Sequence, residues 1–172
     1  MSKKHKIDIE DAKQIPPQLL NRLLDKLRTY LKDDETVQRM FDEYGVDLDE
    51  LEYIPMKFAD LEVSAKTDHG VIYYNYKLLC DGDFFKDFSY GVHEITHWLQ
   101  QTTGTKPTKG SDEGNYLDNP YEQEGFQNQV EFIANEFGEN EAEKYVDNLL
   151  EHHDVRDKKE KKEKKEELLA LV

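Results

Sequence analysis

The sequence predicts an α+β fold: N-terminal helices, a small twisted sheet, a helix spelling H-E-x-x-H packed below that sheet, and a second helical subdomain that closes over it. Three observations carry the expectation. Leucines recur at helical spacing after Pro17, the pattern changes to period two between residues 57 and 65, and helical spacing returns through HEITH and again after Pro120. The division read from these shifts is a helical segment over 1–55, a core over 56–155 and a charged tail over 156–172.

Taking the elements in order, Pro16 and Pro17 precede a stretch in which Leu20, Leu23, Leu24, Leu27 and Leu31 fall on one face. Proline at the first helical position suits a helix start, because its missing N–H would be unpaired there anyway. A second helix is expected over Glu35 to Tyr44, closed by Gly45 in the position of a C-terminal cap. Between residues 31 and 62 there are eleven acids and three bases, so this face reads as solvated. From Lys57 to Ala65, residues Ala59, Leu61, Val63 and Ala65 alternate with Phe58, Asp60, Glu62 and Ser64, the pattern of a half-buried strand. After the turn TDHG, the β-branched and aromatic run VIYYNYKLL predicts a second strand, antiparallel to the first through a short hairpin. Asp81, Asp83 and Asp87 surround Gly82 in a polar break that reads as a turn. At the other end, residues 158–167 are six Lys and four Glu, the pattern of a solvated helical tail. The alternative is a short docking helix ending in Leu168, Leu169, Leu171 and Val172.

Composition restricts the partners. The 172 residues include 38 Asp and Glu against 23 Lys and Arg, a net charge of −15. Such a surface repels phosphates, so neither nucleic acid nor an anionic membrane is the expected partner. Yet 10 Tyr, 8 Phe and 1 Trp are enough aromatics for a modest core. No apolar run is long enough for a transmembrane helix and the start of the chain has no hydrophobic signal region, so a cytoplasmic location is expected. The single Cys80 fits that expectation and reads as a bystander, since nothing near it in sequence would depress its pKa. Phosphate-binding glycine motifs are absent, which leaves nucleotide binding without support.

The chemistry lies in His93, Glu94, Ile95, Thr96 and His97. On a helix, residues four apart differ by about 40° in azimuth, so both imidazoles leave one face and can meet a single zinc ion. Glu94, beside the first histidine, would reach a water acidified by the metal and act as its base. Val92, Ile95 and Leu99 form the apolar stripe of the same helix, which places the two histidines on the opposite side and outside the core. The other histidines, His5, His69, His152 and His153, sit in polar surroundings and read as exposed.

A hydrolytic zinc site usually takes three protein ligands. After Pro120 the stripe Phe126, Val130, Ile133 and Phe137 predicts a helix, and Glu122 falls on its inward face. Glu124 points roughly 160° away from Phe126 on a regular helix. A carboxylate on a buried face needs a cation, so Glu122 is the expected third ligand of one Zn²⁺ ion, with Glu124 as the alternative. Tyr116 or Tyr121 could assist an oxyanion, although packing explains either tyrosine as well.

The strand GVIYYNYKLL, the segment VHEITHWLQ and a helix opened by NPYEQEGF together resemble the zincin metallopeptidases of the ImmA/IrrE type and their small phage or plasmid relatives. The resemblance covers roughly residues 57–138. It implies a zincin-like fold, His93, His97 and Glu122 as zinc ligands, Glu94 as general base, and cleavage of a specific protein partner. Gly125 stands where that family usually has alanine, and the family's later LLMP-like stretch is absent. In zincins the strand before the active helix aligns the substrate, which implies strand addition along Val71 to Tyr76, unless that strand is interior. The alternative function is a zincin-shaped binding, regulatory or structural protein that cleaves nothing. Twelve acids against Lys144 alone between residues 110 and 151 would favour a cationic peptide substrate.

Overall fold

The computed structural model describes residues 7–80, 89–104, 117 and 119–172. The described residues form an α+β fold of seven α-helices and one three-stranded mixed sheet. The helices are α1 (Ile9–Lys13), α2 (Pro17–Lys32), α3 (Glu35–Tyr44), α4 (Ser89–Thr102), α5 (Pro120–Phe137), α6 (Glu139–His152) and α7 (Lys158–Leu168). The strands are β1 (Met56–Ala59), β2 (Ala65–Asp68) and β3 (Val71–Asn75), in the order β1-β3-β2. Among the described residues no helix is long and apolar enough to cross a membrane.

Helix α2 starts at its proline as expected and buries Leu24, Leu27 and Leu31. Helix α3 ends as the sequence suggests: Gly45 has φ +67°, and Val46 N–H returns to the Phe41 carbonyl at 3.0 Å, closing the left-handed cap. The acids between residues 31 and 62 are mostly surface groups. Lys32, for example, reaches Asp49 and Glu52 at 2.7 and 2.9 Å. Asp34 is the exception, being 3% exposed at the start of α3.

The sheet departs from expectation. Instead of one strand over 57–65, the chain makes β1, leaves the sheet for residues 60–64, and re-enters as β2 on the far side of β3. A side chain causes the break: Asn75 Nδ2 donates to the Leu61 and Val63 carbonyls at 2.8 and 3.0 Å, and Asn75 N–H donates to Ser64 O at 2.9 Å. Those carbonyls are thus satisfied by a side chain, and Val63 is left 53% exposed. The hairpin is real but joins β2 to β3, with Asp68 opposite Val71. His69 and Gly70 between them have φ +50° and +78°, the two left-handed residues that a tight two-residue hairpin loop requires. β1 runs parallel to β3, with Met56 opposite Ile72. β3 is therefore interior, and Tyr76–Leu79 continue as a 3₁₀ turn rather than as strand.

One apolar cluster joins these elements, from Leu24 and Phe41 through Ile72 and Tyr74 to Val130, Val146 and Leu168. The N-terminal helices, sheet and C-terminal helices share that core. The Lys/Glu tail departs from the solvated reading, because α7 docks on the chain's own body. Leu168 is 1% exposed, Gln127 Nε2 donates to Glu167 O at 2.8 Å, and Lys165 pairs with Asp147 at 2.9 Å. Asp81, Asp83 and Asp87 lie outside the described residues.

Asp34 offers a test of the α3 junction. Its Oδ1 accepts from Val37 N–H at 3.1 Å, while burial, reinforced by the nearby Glu136 carboxylate, pushes its carboxyl up to about 7. A raised folded-state pKa contributes stability that is complete below the unfolded value of about 3.9 and is lost as pH rises through the folded one. Thermal melts should therefore show Asp34→Asn gaining on the wild type between about pH 4 and pH 7, then holding a constant difference above that. A difference independent of pH would contradict the buried-carboxyl assignment.

Candidate metal centre

Helix α4 lies between the sheet and helices α3 and α5, and every residue from Gly91 to Gln100 is buried. Its close approach to the sheet requires Gly91, where a Cβ would stand 2.8 Å from the Tyr74 hydroxyl. The sequence correctly separates the stripe of Val92, Ile95 and Leu99 from the histidines. It places the histidines outside the core without foreseeing their burial: His93 and His97 are only 6% and 8% exposed, because α5 covers their face. Asn119 caps α5, its Oδ1 accepting from Tyr121 N–H at 3.0 Å and Glu122 N–H at 3.5 Å. That cap fixes the turn carrying Glu122, where the helix N-terminus also favours negative charge.

Glu122 Oε1 lies 2.6 Å from His97 Nε2, Glu122 Oε2 lies 3.2 Å from His93 Nε2, and the two imidazole nitrogens are 3.1 Å apart. Ligand atoms about 2.0–2.1 Å from one tetrahedral ion would stand about 3.3 Å from each other. The trio thus converges much as the ligands of one metal would. Glu94 is also close: ligand atoms of His93, Glu94 and His97 all lie within 4.8 Å of one another, and this buried group could hold a metal ion. Two lone-pair nitrogens at 3.1 Å repel unless a proton or a cation lies between these groups.

The electrostatics follow from that crowding. Burial alone would lower the His97 pKa, but its hydrogen bond and charge interaction with Glu122 outweigh this and push it up to about 9. Burial would raise Glu122, yet the hydrogen bonds from His93 and His97 hold it well below the usual carboxylate range. Glu94 is pushed up by burial, against the opposing charges of the two histidines. A metal cation would take the place of a proton between His97 and Glu122, since imidazole binds metal only when deprotonated.

Three supporting groups escaped the sequence reading. Gln100 Oε1 accepts from His97 Nδ1 at 2.9 Å, which turns Nε2 toward Glu122, and Gln100 Nε2 is held at 3.3 Å by the Tyr121 carbonyl. Its position, three residues after His97 on the same face, was the available signal. Gly125 gives His93 its place, because a Cβ there would lie 2.8–2.9 Å from three atoms of the imidazole. Thr67 of β2 donates to the Glu94 carbonyl at 3.0 Å and lies 3.5 Å from its Oε2.

A cleft of about 640 Å³ opens beside His93 and Glu94. Tyr121 is not among its lining residues, whereas Tyr90 and Tyr145 are, and Tyr116 lies outside the described residues. His152 and His153, distant in sequence, come to line the same cleft, and His153 is half-buried with its pKa lowered by burial. His69 is exposed and pairs with Asp68 at 2.6 Å, and His5 lies outside the described residues. Glu124 is half-buried and accepts a hydrogen bond from the Tyr44 hydroxyl. Cys80 is half-buried, with its thiol pushed up by burial. Comparisons with family models, with curated proteins and with solved structures find no match.

The two carboxylates of α5 separate cleanly by experiment. Glu122→Ala should weaken divalent metal binding by more than about a hundredfold, since even outer-shell partners are worth 10–100-fold. Glu124→Ala should leave binding within a few fold and cost about 1 kcal/mol of stability through the lost Tyr44 bond. Equilibrium dialysis and melting curves of both variants provide the measurement, and the reverse ranking in metal affinity would contradict the assignment.

Proposed function

We propose that this chain is a zinc-dependent peptidase of zincin-like architecture, resembling the ImmA/IrrE-type enzymes and acting on a peptide or protein. What carries this reading is the convergence of His93 Nε2, His97 Nε2 and the Glu122 carboxylate within 2.6–3.2 Å, with Glu94 next to them at the edge of a cleft. Two imidazoles and one carboxylate are a donor set suited to zinc, and three protein ligands are the number found at hydrolytic zinc centres. Bound there, zinc supplies a Lewis acid that acidifies water and polarises a carbonyl oxygen.

The protein groups then divide the work. Glu94 takes a proton from water on its carboxylate and passes it to the departing amine. Its raised pKa suits a group that must hold a proton between those two events. Gln100 keeps His97 in the tautomer that frees Nε2. Thr67 ties the backbone of Glu94 to β2. β3 cannot receive a substrate strand, because β1 and β2 occupy both its edges. Among the described residues β2 pairs on one side only, and residues 62–65 leading into it line the cleft. This segment takes over the strand-addition role that the sequence suggested for Val71 to Tyr76.

The test is Glu94→Gln, which is isosteric and removes the base while leaving the ligands. Peptide cleavage should fall by roughly 10²–10⁴-fold with zinc content unchanged. Cleavage persisting at the wild-type rate in a preparation free of other proteases would refute the role of Glu94.

A further inference from the structure

We infer that the cleft beside His93 and Glu94 is a pocket for a large uncharged side chain of the substrate, an aromatic one above all, and that helix α6 selects it. The inference deepens the peptidase reading and rests on it. Its volume of about 640 Å³ is that of an ordinary ligand site, with room for an aromatic side chain and adjoining main chain. Val63 and Ala65, before and within β2, line the cleft together with Phe126 of α5. Tyr145, Asn148 and Leu149 of α6 also line it. Val63 is one of few large apolar side chains left more than half exposed among the described residues, and it stands at this cleft.

Charge points the same way. Among the described residues no Lys or Arg lines the cleft, and the carboxylates that do are Glu62 and Glu94, the second of which the peptidase reading assigns to proton transfer. None of the described acids between residues 110 and 151 is among the lining groups, so the acidity of that stretch does not supply a counter-charge for Lys or Arg inside the cleft. Gln129 and Asn148 add uncharged polar groups. A side chain with a broad apolar body therefore fits the lining better than a cationic one.

The experiment uses fluorescein-labelled Ala/Ser peptides carrying one variable residue. Binding is read by anisotropy on the zinc-loaded full-length Glu94→Gln chain, and cleavage is read on the zinc-loaded wild type. Peptides with Phe, Tyr or Trp should bind roughly tenfold or more tighter than those with Lys, Arg or Ala, the factor that burying one large apolar side chain supplies. Asn148 and Val63 are exposed, so their variants should fold. Asn148→Glu should move the preference toward Lys and Arg, and Val63→Lys should lower affinity for aromatic peptides, both with unchanged zinc content. Equal binding of all peptides, a preference for Lys or Arg in the parent chain, or no binding would overturn the pocket. Selective binding of aromatic peptides without hydrolysis by the wild type would uphold the pocket and overturn the peptidase reading. Hydrolysis indifferent to the variable residue would do the opposite.

Discussion

Two imidazoles and a carboxylate, with nitrogen and oxygen atoms 2.6–3.2 Å apart, meet where α4 and α5 exclude water. Burying such groups is costly unless a proton or a cation joins them, because each loses hydration that only a partner can replace. A proton between His97 and Glu122 would join two of these groups, and a divalent metal would join all three at once. Much of the surrounding structure serves that contact. Asn119 fixes the turn bearing Glu122, Gln100 orients His97, and Gly125 leaves space for the ring of His93.

A second set of polar contacts, buried or partly buried, holds α5 in register. Asn128 Nδ2 donates to Thr96 Oγ1 at 3.0 Å, and Arg39 Nη2 donates to Asn128 Oδ1 at 2.7 Å. Thr36 Oγ1 donates to Glu131 at 2.6 Å and accepts from Asn135 at 3.0 Å. α3, α4 and α5 are thereby tied through side chains that tolerate little sliding, since a shift would leave buried polar groups unpaired. A one-residue slip of α5 would also carry Glu122 away from the histidines. The aromatic contact Phe41–Trp98 adds apolar packing between α3 and α4, and Tyr30–Phe132 joins α2 to α5.

What could be read in the sequence was whatever depends on local periodicity. Helices α2 and α3, with their proline start and glycine end, follow from spacing that neighbours do not alter. The pairing of His93 with His97 follows from the geometry of one helical turn. The burial of that pair did not, because a wheel separates two faces of a helix without saying that both will be covered. The sheet failed for a different reason: residues 57–65 alternate like a strand, but Asn75, many residues later, claims their carbonyls and pulls them out of the ladder. The cleft was equally hidden, since Val63, Phe126 and Leu149 meet only through tertiary packing. The tail misled because its charges are visible in sequence, whereas the single buried Leu168 that anchors it acquires meaning only against α5 and α6.

The proposed zinc centre joins His93, His97 and Glu122 around one ion. Anomalous diffraction at the zinc edge, on crystals of the full chain grown with stoichiometric Zn²⁺, tests it directly. One strong anomalous peak is expected within bonding distance of both Nε2 atoms and the Glu122 carboxylate. A peak held instead by Glu124 or by His152 and His153, or an ordered trio with no peak beside it, would contradict it.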